Sequence, residues 1–371
     1  MQVSIPADVL APLLTRAAAL SGGSGHVHLA ARNDVLLVRA VDGQATVQLD
    51  AEAAASCTVP GECIVSAGTA RDAVKTLRGP VSLRLAKTTL KVSAGSASFG
   101  LRVSEDPLPT LREASAKGPD ALLADVDGAA LATALACVRG TTAEAVRHGL
   151  NGVCVEVGDG VLLLTSTDGT ALSHVPLAAQ VQGQAPRGQL LPPVLLSALA
   201  PLAASTADVR IVVDAPVVEA RGAGWVLRAR LLVGEFPDWR RVVPDAAKAP
   251  VQVRLKAGAM REALAAVSLL AADKHHTTRV TVIGDTVALS ASNADAGDAR
   301  VELQADDVGT DKPGGPWHVN ASLLGAALAC AERFGPVARI GLDAALAPIR
   351  VDVAGAGEVA PFWIVMPMRG D

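Results

Sequence analysis

The sequence predicts an α+β chain in which one unit, two helices packed on antiparallel sheet, is used three times. Three observations predict it. A short alternating strand followed by an Ala- and Leu-rich helix recurs at intervals of about 120 to 130 residues, a domain-sized period. Paired alternating runs with turn residues between them follow each such helix. Hydrophobic residues make up 50% and charged residues 19% of the 371, so each unit can bury an interior of its own, and the chain exceeds one typical core.

Taken in order, the first repeat opens on a strand at 2–5 and a helix at 8–20, the second on 122–126 and 129–138, the third on 251–255 and 259–270. Hairpins follow at 27–41, 152–166 and 279–292, turning at Asn33-Asp34, Gly158-Asp159-Gly160 and Gly284-Asp285. After another short strand come second helices at 69–77, 193–202 and 322–333, with Pro193 suited to a first helical turn, where no N–H is needed. Strand pairs at 81–103, 209–232 and 338–366 close the repeats. Polar joints containing Pro or Gly, at 113–119 and 244–250, set domains at 1–115, 120–245 and 250–371; residues 306–316, rich in Asp, Gly and Pro, read as a flexible loop. Strands that bury one face on the helices leave sheet edges that invite the next unit. End-to-end pairing of like units makes an arc, which closes into a ring if rotation and subunit number agree.

Composition narrows the function. Aromatics are 2% with no tyrosine, so Ala, Val and Leu fill the cores, and gripping single strands by base stacking is disfavoured. The 33 Lys and Arg against 37 Asp and Glu, net −4, are not the footprint of a tight sequence-specific DNA binder, while topological contact stays open. Five cysteines, Cys57, Cys63, Cys137, Cys154 and Cys330, lack a Cys-x-x-Cys spacing and indicate neither a disulfide framework nor a zinc site. A reducing cytoplasm fits, and no leader or membrane-spanning run is evident, so a soluble cytoplasmic protein is expected.

Sharper chemistry finds little support. His26 and His28 share a strand face, but nothing at ligand spacing completes a metal site. His275-His276 follow a helix as loop residues. The stretch from Gly355 to Ala360 imitates a dinucleotide fingerprint but precedes Pro361 and a strand instead of opening a helix. Gly22-Gly23-Ser24-Gly25 has the wrong register for a nucleophile elbow. No catalytic set, metal or cofactor is expected.

The joints carry the specific signal. Leu150-Asn151-Gly152, an alternating strand and Thr167-Asp168-Gly169 lie in the middle repeat; Phe236-Pro237-Asp238-Trp239-Arg240-Arg241-Val242 leads out of it; Val365-Met366-Pro367-Met368-Arg369 closes the chain. In order, inside a threefold repeat spanning essentially the whole chain, these resemble the bacterial DNA polymerase III beta-subunit family, the replicative sliding clamps. The resemblance implies a crescent of three clamp domains that dimerises head to tail into a six-domain ring, helices inside, with duplex DNA threaded through it. Retention by enclosure needs few phosphate contacts, which suits the modest charge.

It also implies a groove between the second and third domains for short linear peptides of polymerases, the clamp loader and repair proteins. Matching positions in the second domain and its exit are Leu150, Thr167, Gly169, Leu172, Pro237, Arg241 and Val242; those in the third are Asn320, Leu323, Leu346, Ile364, Met366, Pro367, Met368 and Arg369. Met366 and Met368 are adaptable enough for varied partners, and Arg241, Asn320 and Arg369 would form a polar rim. Singly, any Leu, Ile or Val among them reads equally well as core. DNA-facing candidates are Arg16, Arg71, Lys75, Arg78, Arg139, Arg147, His148, Lys256, Arg261 and Lys274, on or beside the repeat helices, where solvated faces are the plainer reading. Phe99, Leu269 and Leu270 match the subunit contact. The acidic cluster of the partner strand is thinned to Asp295, Asp298 and Glu302, with Arg300 among them. Thr170-Ala171 stand where the family carries His-Arg, His148-Gly149 replace two aromatics, and the helix at 193–202 has no basic residue. These departures motivate one alternative, a clamp-like paralogue with altered partners or weaker DNA retention. An enzyme on the same scaffold is a remote second, which a deep polar cleft would reveal.

Overall fold

The computed structural model describes the chain apart from residues 24, 118–120, 143–149, 159, 184–187, 246–247, 272–275, 310–313, 358 and 370–371. One element order appears three times, with one strand fewer between the two helices of the middle third. The first third runs β1 (Gln2–Pro6), α1 (Ala7–Leu20), β2 (His26–Arg32), β3 (Val35–Val41), β4 (Val47–Ala54), β5 (Ser56–Val59), β6 (Gly61–Ser66), α2 (Ala67–Lys75), β7 (Pro80–Ala86), β8 (Thr89–Ala94) and β9 (Ala97–Ser104). The middle third runs β10 (Leu122–Asp127), α3 (Gly128–Arg139), β11 (Val153–Gly158), β12 (Val161–Thr167), β13 (Ala171–Gly183), β14 (Gln189–Leu191), α4 (Pro193–Ala203), β15 (Asp208–Asp214), β16 (Val217–Gly222) and β17 (Trp225–Arg230). The last runs β18 (Val251–Lys256), α5 (Ala257–Ser268), β19 (Thr277–Ile283), β20 (Thr286–Asn293), β21 (Gly297–Gln304), β22 (Asp307–Val308), β23 (Gly314–Asn320), α6 (Ala321–Ala331), β24 (Val337–Leu342), β25 (Ile349–Val353) and β26 (Phe362–Val365).

Packing divides the chain into two compact units, Met1–Ala132 with Ala178–Leu232 and Thr133–Leu177 with Val233–Asp371. The middle repeat is therefore shared, with α4 and β15 to β17 in the first unit and β11 and β12 in the second.

In the first unit, α1 and α2 pack side by side and bury Leu10, Leu14, Ala70 and Val74 against Leu29, Val38, Leu83 and Val92 of the strands. Period-two alternation is the cause: β2 turns Val27, Leu29 and Ala31 inward and leaves His26 and His28 half-buried. The β2–β3 hairpin turns on Asn33 (φ 51°) and Asp34 (φ 57°), residue types that tolerate the left-handed conformation a tight hairpin demands. His28 contacts the Glu62 carboxylate at 3.1 Å on the neighbouring strand.

Strand β4 is paired on both edges, by β3 and by β17, with Leu49 opposite Leu227, so the closing strand of the middle repeat is stitched to the first. Charge is buried at this joint. The Arg228 guanidinium, 5% exposed, donates to Glu219 and Asp50, both at 2.7 Å, while Arg39 and Gln48 donate to the same Asp50 at 2.5 and 2.7 Å. Every buried carboxylate here is bonded, so the desolvation cost is offset, whereas removing one partner would strand the rest.

In the second unit, α5 and α6 pack side by side, and a four-stranded sheet runs β21-β20-β19-β23, with β21 at its edge. A second junction matches the first: β26, which closes the last repeat, pairs with β13 of the middle one, Leu172 opposite Ile364. The loop expected over 306–316 is corrected at both ends. Asp307 and Val308 form β22 by pairing with Arg254 and Val253 of β18, and β23 begins at Gly314, because sheet edges supply partners that a polar composition does not announce. Asn320 caps α6, its Oδ1 accepting from Leu323 N at 3.1 Å. No helix among the described residues is long and apolar enough to cross a membrane.

Candidate functional site

The β13–β26 joint gathers much of the candidate groove. Leu172, Ile364, Phe362 and Trp239 form a small buried cluster, with Phe236 and Val243 packed against it. Trp239 and Phe236 belong to the Phe-Pro-Asp-Trp segment, which is thereby laid over the two strands. His174, two residues along β13 from Leu172, stands with its ring 4.5 Å from Trp239 and 4.8 Å from Phe362. Its Nδ1 is hydrogen-bonded with Thr165 Oγ1 at 2.9 Å. Burial, reinforced by Arg240 and Arg350, pushes the imidazole down from 6.5 to about 4, so it packs as a neutral ring at pH 7. The two arginines lie over the outer rings, Arg240 4.3 Å from Trp239 and Arg350 4.4 Å from Phe362. Glu156 ties Trp239 Nε1 and Arg240 together at 3.3 and 3.1 Å. The floor is thus a rigid stack held from both ends.

The Thr-Asp-Gly motif has a mechanical reason. Asp168 Oδ1 accepts from the backbone N–H of Thr170 and Ala171 at 2.7 and 2.8 Å, Thr167 Oγ1 donates to Ala171 O at 2.7 Å, and Gly169 sits at φ 90°, where a side chain would be strained. This side-chain-locked turn presents Thr170 O to Met366 N at 2.8 Å, and Met368 N bonds His318 O at 2.7 Å, which fixes the C-terminal strand end beside it.

Leu172 and Ile364 are nearly buried, whereas Met366, Val242, Leu346, Pro237 and Gly169 are exposed and Thr167, Leu150, Leu323, Pro367 and Met368 half-buried. Asn320, expected on the polar rim, spends its Oδ1 on the α6 cap. Leu150, Arg241, Leu346 and Arg369 share no side-chain hydrogen bond or core cluster with the stack among the described residues. Sequence reasoning missed Trp239, His174 and Phe362 as site residues. The available signal was scarcity, since the chain has only 4 Trp and 4 Phe and three of those eight meet here.

Of the cations expected to face DNA, Arg147, His148 and Lys274 lie outside the described residues. In the first unit, Arg71 pairs with Asp72 at 2.7 Å, Arg16 reaches Ser205 Oγ at 3.4 Å, and Lys75 and Arg78 are exposed. In the second, Arg139 and Lys256 are exposed, while Arg261 pairs with Glu332 at 3.1 Å. Phe99 lies half-buried on β9, and beyond α5 Leu269 is 82% exposed with Leu270 half-buried. No group of three or more His, Cys, Asp or Glu among the described residues is placed to hold a metal.

No family model matches the chain. It is 28% identical over 254 residues to the beta sliding clamp of Pseudomonas aeruginosa, an alignment covering 67% of each chain. The crystal structure of a DNA polymerase sliding clamp from Pseudomonas aeruginosa with ligand superposes at a TM-score of 0.87, with 24% identity and 100% of both chains covered. A DNA polymerase III beta-subunit clamp of that organism bound to griselimycin gives a TM-score of 0.85 at 25% identity, covering 100% of this chain and 99% of that one. By fold, the chain matches the class of DNA polymerase sliding clamps. Within that class its fold resembles the DNA polymerase III beta-subunit clamp along its whole length.

Proposed function

We propose that the chain is a non-catalytic processivity clamp, a cytoplasmic homodimer of three-domain protomers (1–115, 120–245 and 250–371) that encircles duplex DNA and tethers polymerase, clamp loader and repair proteins through peptides bound beside β13 and β26. The observation that carries this reading is the repeated junction. Twice within the chain the last strand of one repeat pairs with the same strand, the third of the hairpin set, in the preceding repeat: β17 with β4, and β26 with β13. The two strands left over are β9, which closes the first repeat, and β21, which ends its own sheet. The same rule applied a third time joins β9 of one copy to β21 of another, and two such head-to-tail contacts close a ring. Phe99 lies on β9, and Asp298, Arg300 and Glu302 lie on β21.

Sedimentation equilibrium tests the rule. A species of twice 37.6 kDa is expected at micromolar concentration, and a strictly monomeric chain would remove the ring from the proposal. The paralogue reading is favoured by one observation: α4 carries no cation, and Arg71 and Arg261 are already ion-paired. It predicts the same dimer with shorter residence on DNA.

A further inference from the structure

Two of the five thiols meet, and the clamp reading makes no use of them. Cys137 near the end of α3 and Cys330 near the end of α6 belong to the second unit and line one cavity between those helices. The Cys137 thiol donates a hydrogen bond to the Cys330 sulfur, so the two atoms are neighbours in the folded chain. The packing that brings them together is the repeat's own. At the first junction α1, the first helix of one repeat, likewise packs against α4, the second helix of the next, and Arg16 holds the place in α1 that Cys137 holds in α3. Arg16 reaches Ser205 Oγ at 3.4 Å, whereas its counterpart meets a second thiol.

The pair is unequal. Cys137 is 1% exposed, while Cys330 is half-buried and keeps surface for a small solute to reach. The hydrogen bond from Cys137, assisted by the Arg333 cation, holds the Cys330 thiol below the usual thiol range; the same bond, together with burial, pushes Cys137 up. A partly exposed thiol favoured as thiolate, beside a buried second thiol, is how an oxidisable cysteine is paired with the one that resolves it. Elsewhere burial pushes Cys63 up to about 11 and Cys154 up to about 12, which makes them inert. Cys57 is the other partly exposed thiol and serves as an internal control. We propose that Cys330 is a modification site, at which hydrogen peroxide drives formation of a Cys137–Cys330 disulfide joining α3 to α6. The Cys330 thiolate attacks one peroxide oxygen, the O–O bond breaks, and with one proton taken up the products are a sulfenic acid and water. The Cys137 thiol then gives its proton to the sulfenic hydroxyl, which leaves as water while the S–S bond forms; the two sulfurs have lost two electrons and the peroxide has gained them. In a reducing compartment thiol exchange reverses the bond, so it acts as a transient staple between the middle and last repeats.

The test exposes reduced full-length protein to a few equivalents of hydrogen peroxide, alkylates the remaining thiols and maps unreduced peptides by mass spectrometry. A peptide pair linking Cys137 to Cys330 is expected, with two of the five thiols lost and both regained on adding dithiothreitol. In Cys137→Ser the sulfenic acid should persist at Cys330 and be captured by dimedone, whereas in Cys330→Ser the buried Cys137 should stay reduced. Because the bond closes a long loop, linked protein should also unfold at a higher temperature than reduced protein, a rise that both variants lack. Absence of the linked pair overturns the proposal. So does oxidation of Cys57 ahead of Cys330, a dimedone adduct on Cys137, or a link from either thiol to another cysteine.

Discussion

His174 shows how a residue's surroundings decide its role. Its folded pKa of about 4 lies below the 6.5 of an unperturbed imidazole, so the unfolded chain binds the extra proton more readily. The stability this contributes is complete above pH 6.5 and is lost as pH falls toward 4, up to roughly 3 kcal/mol. Urea unfolding at pH 7 and pH 5 should show the decline, and His174→Gln should flatten it; an unaltered slope would mean that other groups control acid lability. The groove makes a second residue-scale prediction. Met366 is exposed, so Met366→Ala should weaken a Gln- and Leu/Phe-bearing peptide by about tenfold with little change in unfolding. Leu172→Ala should weaken the peptide and also cost about 2–5 kcal/mol, because Leu172 is packed under Trp239 and Phe362. Unchanged peptide affinity in both variants would exclude this face. Sequence motifs led to Leu172 and Met366, but not to the His174 stack, because a ring two residues along a strand from a motif carries no local pattern; only the pairing of β13 with β26 brings it to Phe362.

Among the elements, the six helices and the first two strands of each hairpin set were legible, since alternation and turn dipeptides such as Asn33-Asp34 act locally. Helix starts were placed up to two residues late. Ser66 caps α2 through Thr69 N, yet that helix was expected to begin at Thr69. The third strand of each set, β4, β13 or β21, was less visible. The β4 strand alternates apolar and polar residues from Val47 to Ala53 yet buries five consecutive ones, including Gln48 and Asp50, so its burial does not follow its pattern; β21 is largely exposed and charged. These are also the strands that make, or are proposed to make, the junctions, where a partner edge supplies what the sequence pattern lacks. The β4–β17 joint carries its own prediction. Arg228→Ala should destabilise the protein by about 3–5 kcal/mol in denaturant unfolding, because Glu219 and Asp50 would remain buried without their cation. A loss below about 1 kcal/mol would mean that water enters the joint and screens them.

For the whole molecule, the junction rule makes Phe99→Asp a test of closure. A carboxylate on β9 should shift the species from twice 37.6 kDa toward a single chain while leaving the circular dichroism spectrum intact. The net charge of −4 and the paired state of Arg71 and Arg261 make strong phosphate binding a poor basis for retention on DNA, so enclosure has to supply it. The direct measurement is retention on a nicked circular plasmid, loaded with a clamp loader and passed through gel filtration in high salt, before and after the circle is cut once. Topological enclosure predicts that protein co-elutes with the intact circle and is lost on linearisation, whereas retention that the cut does not change would contradict it.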